Sequence, residues 1–130
     1  MTLAVAHETS IVIIDPDKVW LDSSWTYLSK LGYKPRCFLD VESAIRGNPF
    51  EPQTLVIASY DSFRKGGNSV RRMRLTDKTT PKIILLLDSM SPSLIRSCFK
   101  AGASDCLLRP SDQRGLANLV ESWVSLPVSR

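Results

Sequence analysis

The sequence predicts an α/β domain in which five helices wind around both faces of a five-stranded parallel sheet. Three observations carry this. Short runs of branched apolar residues recur without a polar break at 11–14, 54–58 and 82–87, as strands buried on both faces require. Between the runs lie segments whose apolar residues recur at three and four, the helical period. Turn and breaker residues then stop each segment: Asp15-Pro16-Asp17, Gly32, Asn48-Pro49, Gly102 and Pro110. Strands that alternate with helices imply right-handed crossovers and a parallel sheet.

Residues 1–9 read as a loose lead-in, 10–126 as the domain, and 127–130 as the start of a linker or tail. His7, the single histidine, falls in the lead-in and reads as a bystander, because histidine chemistry needs a positioned partner. After the first strand, at 11–14, Asp17 is placed to cap a helix running to about Leu31. Its apolar stripe is Val19, Trp20, Trp25, Leu28 and Leu31, with both tryptophans read as core or groove fillers and Gly32 as the stop. Residues 34–39 form a second, shorter strand; Pro35 lacks a ladder donor, which suits a sheet edge. Asp40 caps a helix over 41–46, ended by Gly47-Asn48-Pro49.

The third strand covers 54–58, and residues 59–67 read as a polar loop containing Lys65-Gly66-Gly67. A third helix starts at Asn68 and turns Val70, Met73 and Leu75 inward, and a loop over 76–81 leads to the fourth strand at 82–87. Ser91 or Ser93 caps a fourth helix with Leu94, Ile95, Cys98 and Phe99 as its apolar face, ending at Ala101-Gly102. Residues 105–108 make the fifth strand, cut off by Arg109-Pro110. Ser111 or Asp112 opens the last helix, where Leu116, Leu119, Val120 and Trp123 recur before Pro127.

Bulk properties exclude several classes. At 130 residues the chain makes one domain with a real core, and its 43% hydrophobic and 23% charged content leaves no low-complexity tract. The net charge of +4 is scattered apart from a cluster between Arg64 and Arg74, so it gives nucleic-acid binding little support. A solvated helix face is the commoner meaning of such a run. Cys37, Cys98 and Cys106 are odd in number and lack C-x-x-C spacing, which points to buried reduced thiols and away from a disulfide framework or zinc site. Neither a signal peptide nor a membrane span is present in the sequence given, so a cytoplasmic location is expected. Lys65-Gly66-Gly67 lacks the glycines and the Lys-Ser/Thr that a phosphate-binding loop needs.

Several local signatures then fall in one order: Ile11 to Asp15 at the first strand, Leu31-Gly32-Tyr33 before the second, and Thr54-Leu-Val-Ile at the third. Gly67 follows Ser59 by eight residues, Ala101 to Asp105 precedes the fifth strand, and Arg109-Pro110 follows it. Over about residues 10–125 this pattern resembles the receiver domain of two-component response regulators, the CheY-like members of the flavodoxin-like (βα)5 fold.

The resemblance implies a phosphorylation pocket at the carboxyl ends of the strands, and this chain departs from it at most positions. Asp15 matches the first metal-holding acid, but Pro16 stands at the second and Asp17 one residue late. Ser59 stands where the phosphoacceptor aspartate would be; a hydroxyl forms no acyl phosphate and removes a metal-ligating carboxylate. The switch hydroxyl falls on Leu87, or on Leu86 if the register slips, and leucine cannot bond a phosphoryl oxygen. Arg109 stands where the family's phosphate-pairing lysine would be, still cationic but forked, and Cys106 stands at the switch-aromatic position. Asp61 is the weak candidate for rebuilding a carboxylate site with Asp15, and no metal or other cofactor is expected. An ion pair between Arg109 and Asp15 is expected instead, holding the corner in one state. Ser59 reads as a small pocket filler more readily than as a kinase target.

The implied function is that of a degenerate receiver, a non-enzymatic signalling module that works without phosphorylation. Its expected working surface is the fourth helix, fifth strand and fifth helix, roughly 93–101, 105–108 and 111–123, engaging a protein partner or a second copy. No membrane contact is expected, and nucleic acid would be met only through a separate domain. The preferred context is the N-terminal regulatory part of a larger bacterial transcriptional regulator. The alternatives are a true phosphotransfer receiver using Asp15, Asp17 or Asp61, the receiver-like part of an ATPase that positions pili or flagella, and a stand-alone adaptor.

Overall fold

A computed structural model describes residues 10–47, 54–67, 69–73 and 81–124, except for the side chains of residues 70 and 71. Five strands, β1 (Ile11–Ile14), β2 (Arg36–Phe38), β3 (Leu55–Ser59), β4 (Lys82–Leu87) and β5 (Asp105–Leu108), form one sheet. Its order is β2-β1-β3-β4-β5 and every pairing is parallel, which is the flavodoxin-like arrangement. The helices among the described residues are α1 (Lys18–Lys30), α2 (Val41–Gly47), α3 (Tyr60–Lys65), α4 (Ser69–Met73), α5 (Pro92–Lys100) and α6 (Gln113–Val124).

Strand side chains alternate between two cores. Ile11, Ile13, Leu55, Ile57, Ile84 and Leu86 pack with Leu21 and Leu28 of α1 and Leu116, Ala117 and Val120 of α6. Val12, Ile14, Val56, Ala58, Ile83, Leu85 and Leu87 pack with α2, α3, α4 and α5 on the other face. Each fully buried Ile or Leu contributes roughly 1.5–3 kcal/mol, so the paired central strands β1, β3 and β4 anchor the domain.

Helix ends follow local chemistry. Asp17 caps α1 by accepting from the Trp20 amide at 3.1 Å, and Asp40 accepts from the Ser43 amide at 2.7 Å at the start of α2. Ser91, not Ser93, caps α5 through the Leu94 amide, with Pro92 in the first turn. Asp112, not Ser111, opens α6 through the Gly115 amide. At the far ends of α1 and α5, Gly32 (φ 98°) and Gly102 (φ 104°) take the left-handed conformation that lets the chain turn back to the sheet. At the edge, β2 is shorter than residues 34–39, and Pro35 precedes it.

Four expectations need correction. Residues 59–67 are not a polar loop: Ser59 ends β3 and caps α3, whose Phe63 enters the core, and two short helices follow β3 among the described residues. The α1 stripe is Leu21, Ser24 and Leu28; Val19 and Leu31 are exposed, and Trp25 is half exposed and fills no core. Spacing alone does not say which flank of α1 meets the sheet, and the flank that does carries Leu21, Ser24 and Leu28. On α5 only Cys98 is fully buried, Leu94 and Ile95 flank it, and Phe99 lies half exposed. Cys37 on the edge strand is also only partly buried. The lead-in at 1–9, the stop at Asn48-Pro49, the start at Asn68, Leu75, the loop at 76–80 and the tail beyond 124 lie outside the described residues.

Candidate functional site

The parallel register brings the carboxyl ends of β1, β3, β4 and β5 to one edge. Ile14 lies beside Ala58, Ser59 beside Leu86, and Leu87 beside Leu108. Asp15, Ser59, Asp88 and Arg109 therefore emerge together, where doubly wound sheets gather their ligands.

Asp15 is buried to 1% exposure. Its Oδ1 accepts the Asp17 amide at 2.9 Å, and its Oδ2 lies 2.7 Å from Arg109 Nη1. That second contact is a close ion pair rather than a well-aligned hydrogen bond, since Oδ2 receives no directed N–H. Arg109 has further ties. Its Nε donates to Asp88 Oδ1 at 3.0 Å, its amide donates to Leu87 O at 2.8 Å, and its guanidinium lies 4.9 Å from the centre of the Trp20 ring. Burial alone would lower the Arg109 pKa, but the contacts with Asp15 and Asp88, and their charges, outweigh it and raise it. One cation thus spans the ends of β1, β4 and β5 over an aromatic floor.

Ser59 is buried and occupied. Its Oγ accepts the Ser62 amide at 3.1 Å and donates to Ser62 Oγ at 2.9 Å. It is a helix cap, and it lines the adjoining cleft. Leu87 and Leu86 both line the adjoining cleft of about 470 Å³, together with Pro16, Ser59, Asp88 and Arg109. Leu87 points into the core beneath α5, and Leu86 into the opposite core.

Asp17 spends its carboxylate on the α1 cap. Asp61 is not on a loop but in the first turn of α3, where it meets Arg64 at 3.4 Å while lining the strand-end cleft with Pro16, Ser59 and Arg109. Cys106 is buried beside Cys98, whose thiol pKa is pushed up to about 11 by burial first and by Cys106 second. No aromatic ring stands at that place.

These residues do not fit a magnesium ion. Both Asp15 oxygens are engaged, one by an amide and one by a guanidinium, and the Ser59 hydroxyl is committed to α3. A fixed cation at that carboxylate opposes a second one. Among the described residues no three His, Cys, Asp or Glu side chains converge on a common point.

Two participants escaped the sequence reading. Asp88 follows β4 directly, as Asp15 follows β1, and that parallel placement was the available signal. Trp20, three residues beyond the Asp17 cap, packs against the core as a core or groove filler would and also carries the Arg109 guanidinium.

No family model and no curated protein matches the chain. Solved structures do. A response regulator from Thermotoga maritima is 22% identical with a TM-score of 0.68, covering 91% of this chain and 99% of that one. CheY4 of Vibrio cholerae, a chemotaxis response regulator, is 16% identical with a TM-score of 0.66, covering 88% and 97%. The Saccharomyces cerevisiae receiver domain of Ssk1, described in a co-crystal structure with the histidine phosphotransfer protein Ypd1, gives 14% identity and a TM-score of 0.71, covering 89% and 88%. At these identities the likeness shows the fold: that of the CheY-like receiver domain.

Proposed function

We propose that this chain is a receiver-like signalling module that works without aspartyl phosphorylation, in the cytoplasm, by contact with another protein. The observation that carries the reading is the ion pair between Asp15 and Arg109. In the resembled family that carboxylate faces a metal and an acyl phosphate; here stands a guanidinium tied at two further points, Asp88 and the Trp20 ring. Ser59, at the acceptor position, has its hydroxyl in a helix cap, and Leu87 offers no hydroxyl to a phosphoryl group. On this reading the chain is not an enzyme, and its pocket is held in one state.

Its working surface is α5, β5 and α6. A protein partner is the kind of ligand that one similar structure holds, in the described complex of Ypd1 with Ssk1. The preferred context is the N-terminal regulatory part of a larger bacterial transcriptional regulator, with any nucleic acid bound by a separate domain. The candidate substitute acceptors have other partners: Asp17 caps α1, and Asp61, which lines the cleft, pairs with Arg64.

Incubation with acetyl phosphate and Mg²⁺, followed by intact-mass measurement, tests the reading. The mass is expected to stay unchanged. A phosphate adduct that disappears in Asp15→Asn, Asp17→Asn or Asp61→Asn would establish a substitute acceptor and overturn it.

A further inference from the structure

The three cysteines are free thiols, and two of them share one core. Cys98, at 0% exposure, is the single fully buried residue of α5, and Cys106, at 5%, enters the same core from β5. The turn between helix and strand sets them together. The Ala101 and Ala103 amides both donate to Cys98 O at 3.1 Å, and the Ser104 amide donates to Ile83 O at 2.7 Å, which returns the chain to the sheet beneath α5. Burial first and the neighbouring Cys106 second hold the proton on Cys98. Cys37 packs against the opposite core, across the sheet, and has no route to either.

The helix above the pair is lightly held. Leu94 and Ile95 are only partly buried, Phe99 is half exposed, and α5 packs chiefly on β5. A helix anchored by one buried side chain opens locally at a cost well below that of global unfolding. Such an opening lifts Cys98 from Cys106 and admits small solutes to both. A disulfide of about 2.05 Å then asks for a closer approach than two unbonded sulfurs make, and a lightly held helix permits it.

We propose that Cys98 and Cys106 form a reversible dithiol–disulfide pair that responds to hydroperoxides, giving α5 the input that the strand-end pocket does not take from phosphate. The Cys106 thiolate attacks one peroxide oxygen, becomes a sulfenic acid and releases hydroxide, which takes up the proton that the thiol lost. The Cys98 sulfur then attacks that sulfur; the S–S bond forms, and the oxygen leaves as water with the Cys98 proton. Two thiols and one hydrogen peroxide thus give one disulfide and two waters. Cys106 leads because it keeps the greater access. Burial leaves both thiols inert while α5 is closed, so the rate follows the opening of the helix. A disulfide in a reducing compartment is of this transient, sensing kind. The role as an input rests on the phosphorylation-independent reading; the pairing of the thiols does not.

The test exposes the reduced full chain to hydrogen peroxide, alkylates it with iodoacetamide in urea and maps the cysteines by mass. Cys98 is expected to be linked to Cys106, and both to be recovered by dithiothreitol. In the linked chain, hydrogen exchange of the α5 amides is expected to slow about tenfold or more, because the helix no longer opens. Cys98→Ala is expected to stop at a Cys106 sulfenic acid that dimedone traps, and Cys37→Ala to leave the link intact. Linkage through Cys37, linkage only in urea, unchanged α5 exchange in the linked chain, or Cys98 and Cys106 both free after Cys37 is oxidised would overturn the inference. The mapping of the wild-type chain needs no variant to fold. No phosphodonor or Mg²⁺ enters this test, so its failure and a failure of the acetyl phosphate result are separate outcomes.

Discussion

Arg109 is the residue on which the strand-end cluster depends. It neutralises a carboxylate at 1% exposure, while a quarter of its own side chain still meets solvent (24%). Removing one partner of a buried pair leaves an uncompensated charge, which costs more than the pair itself contributes. Arg109→Ala is therefore expected to lower unfolding stability by about 2–3 kcal/mol in urea denaturation, toward the low end because of the partial exposure. The double variant Asp15→Asn/Arg109→Met should recover most of that loss, since it leaves no buried charge behind.

The thiols give a second prediction at this scale. Burial raises the pKa of Cys37 and Cys98 from 9.0 to about 11, with Asp22 adding to the first and Cys106 to the second. Their contribution is whole below pH 9, where the unfolded thiols are still protonated. It is lost as pH rises from 9 through about 11, because the unfolded chain ionises first. Denaturation midpoints should fall across that window, and fall less in Cys37→Ala and Cys98→Ala than in the wild type.

At the scale of elements, α3 shows how local chemistry can hide in composition. Ser59, Asp61, Ser62, Arg64, Lys65, Gly66 and Gly67 read as loop, yet Ser59 caps a turn whose Phe63 reaches the core. The available signal was the serine at the cap with an aromatic four residues on. Ser59→Ala should cost ~1 kcal/mol through the lost cap. Gly66 is constrained by packing: a Cβ there would stand 2.9 Å from Val41 Cβ and 2.6 Å from Ser69 Oγ, where the α3–α4 turn meets α2. Gly66→Ala is therefore expected to lower stability by about 1–3 kcal/mol, measured by thermal or urea unfolding.

Across the whole molecule, the sheet was the most legible feature. β1, β4 and β5 match the expected bounds and β3 is displaced by one; for β1, β3 and β4 this is because strands buried on both faces leave little polar break to misread. Helix faces were less legible. Trp25 and Val19 are apolar but exposed, and periodicity alone does not say which flank meets the sheet. The pairing of Asp15 with Arg109 followed from two opposite charges left at strand ends, whereas the parts played by Asp88 and Trp20 needed three-dimensional placement.

The central claim is that this pocket is closed to phosphoryl chemistry by its own arginine. The direct measurement is an amide NMR titration of the full chain with Mg²⁺ and beryllofluoride. The account predicts that the signals of Ser59, Leu87 and Arg109 stay where they are at millimolar ligand. Saturable shifts at those three residues would contradict it.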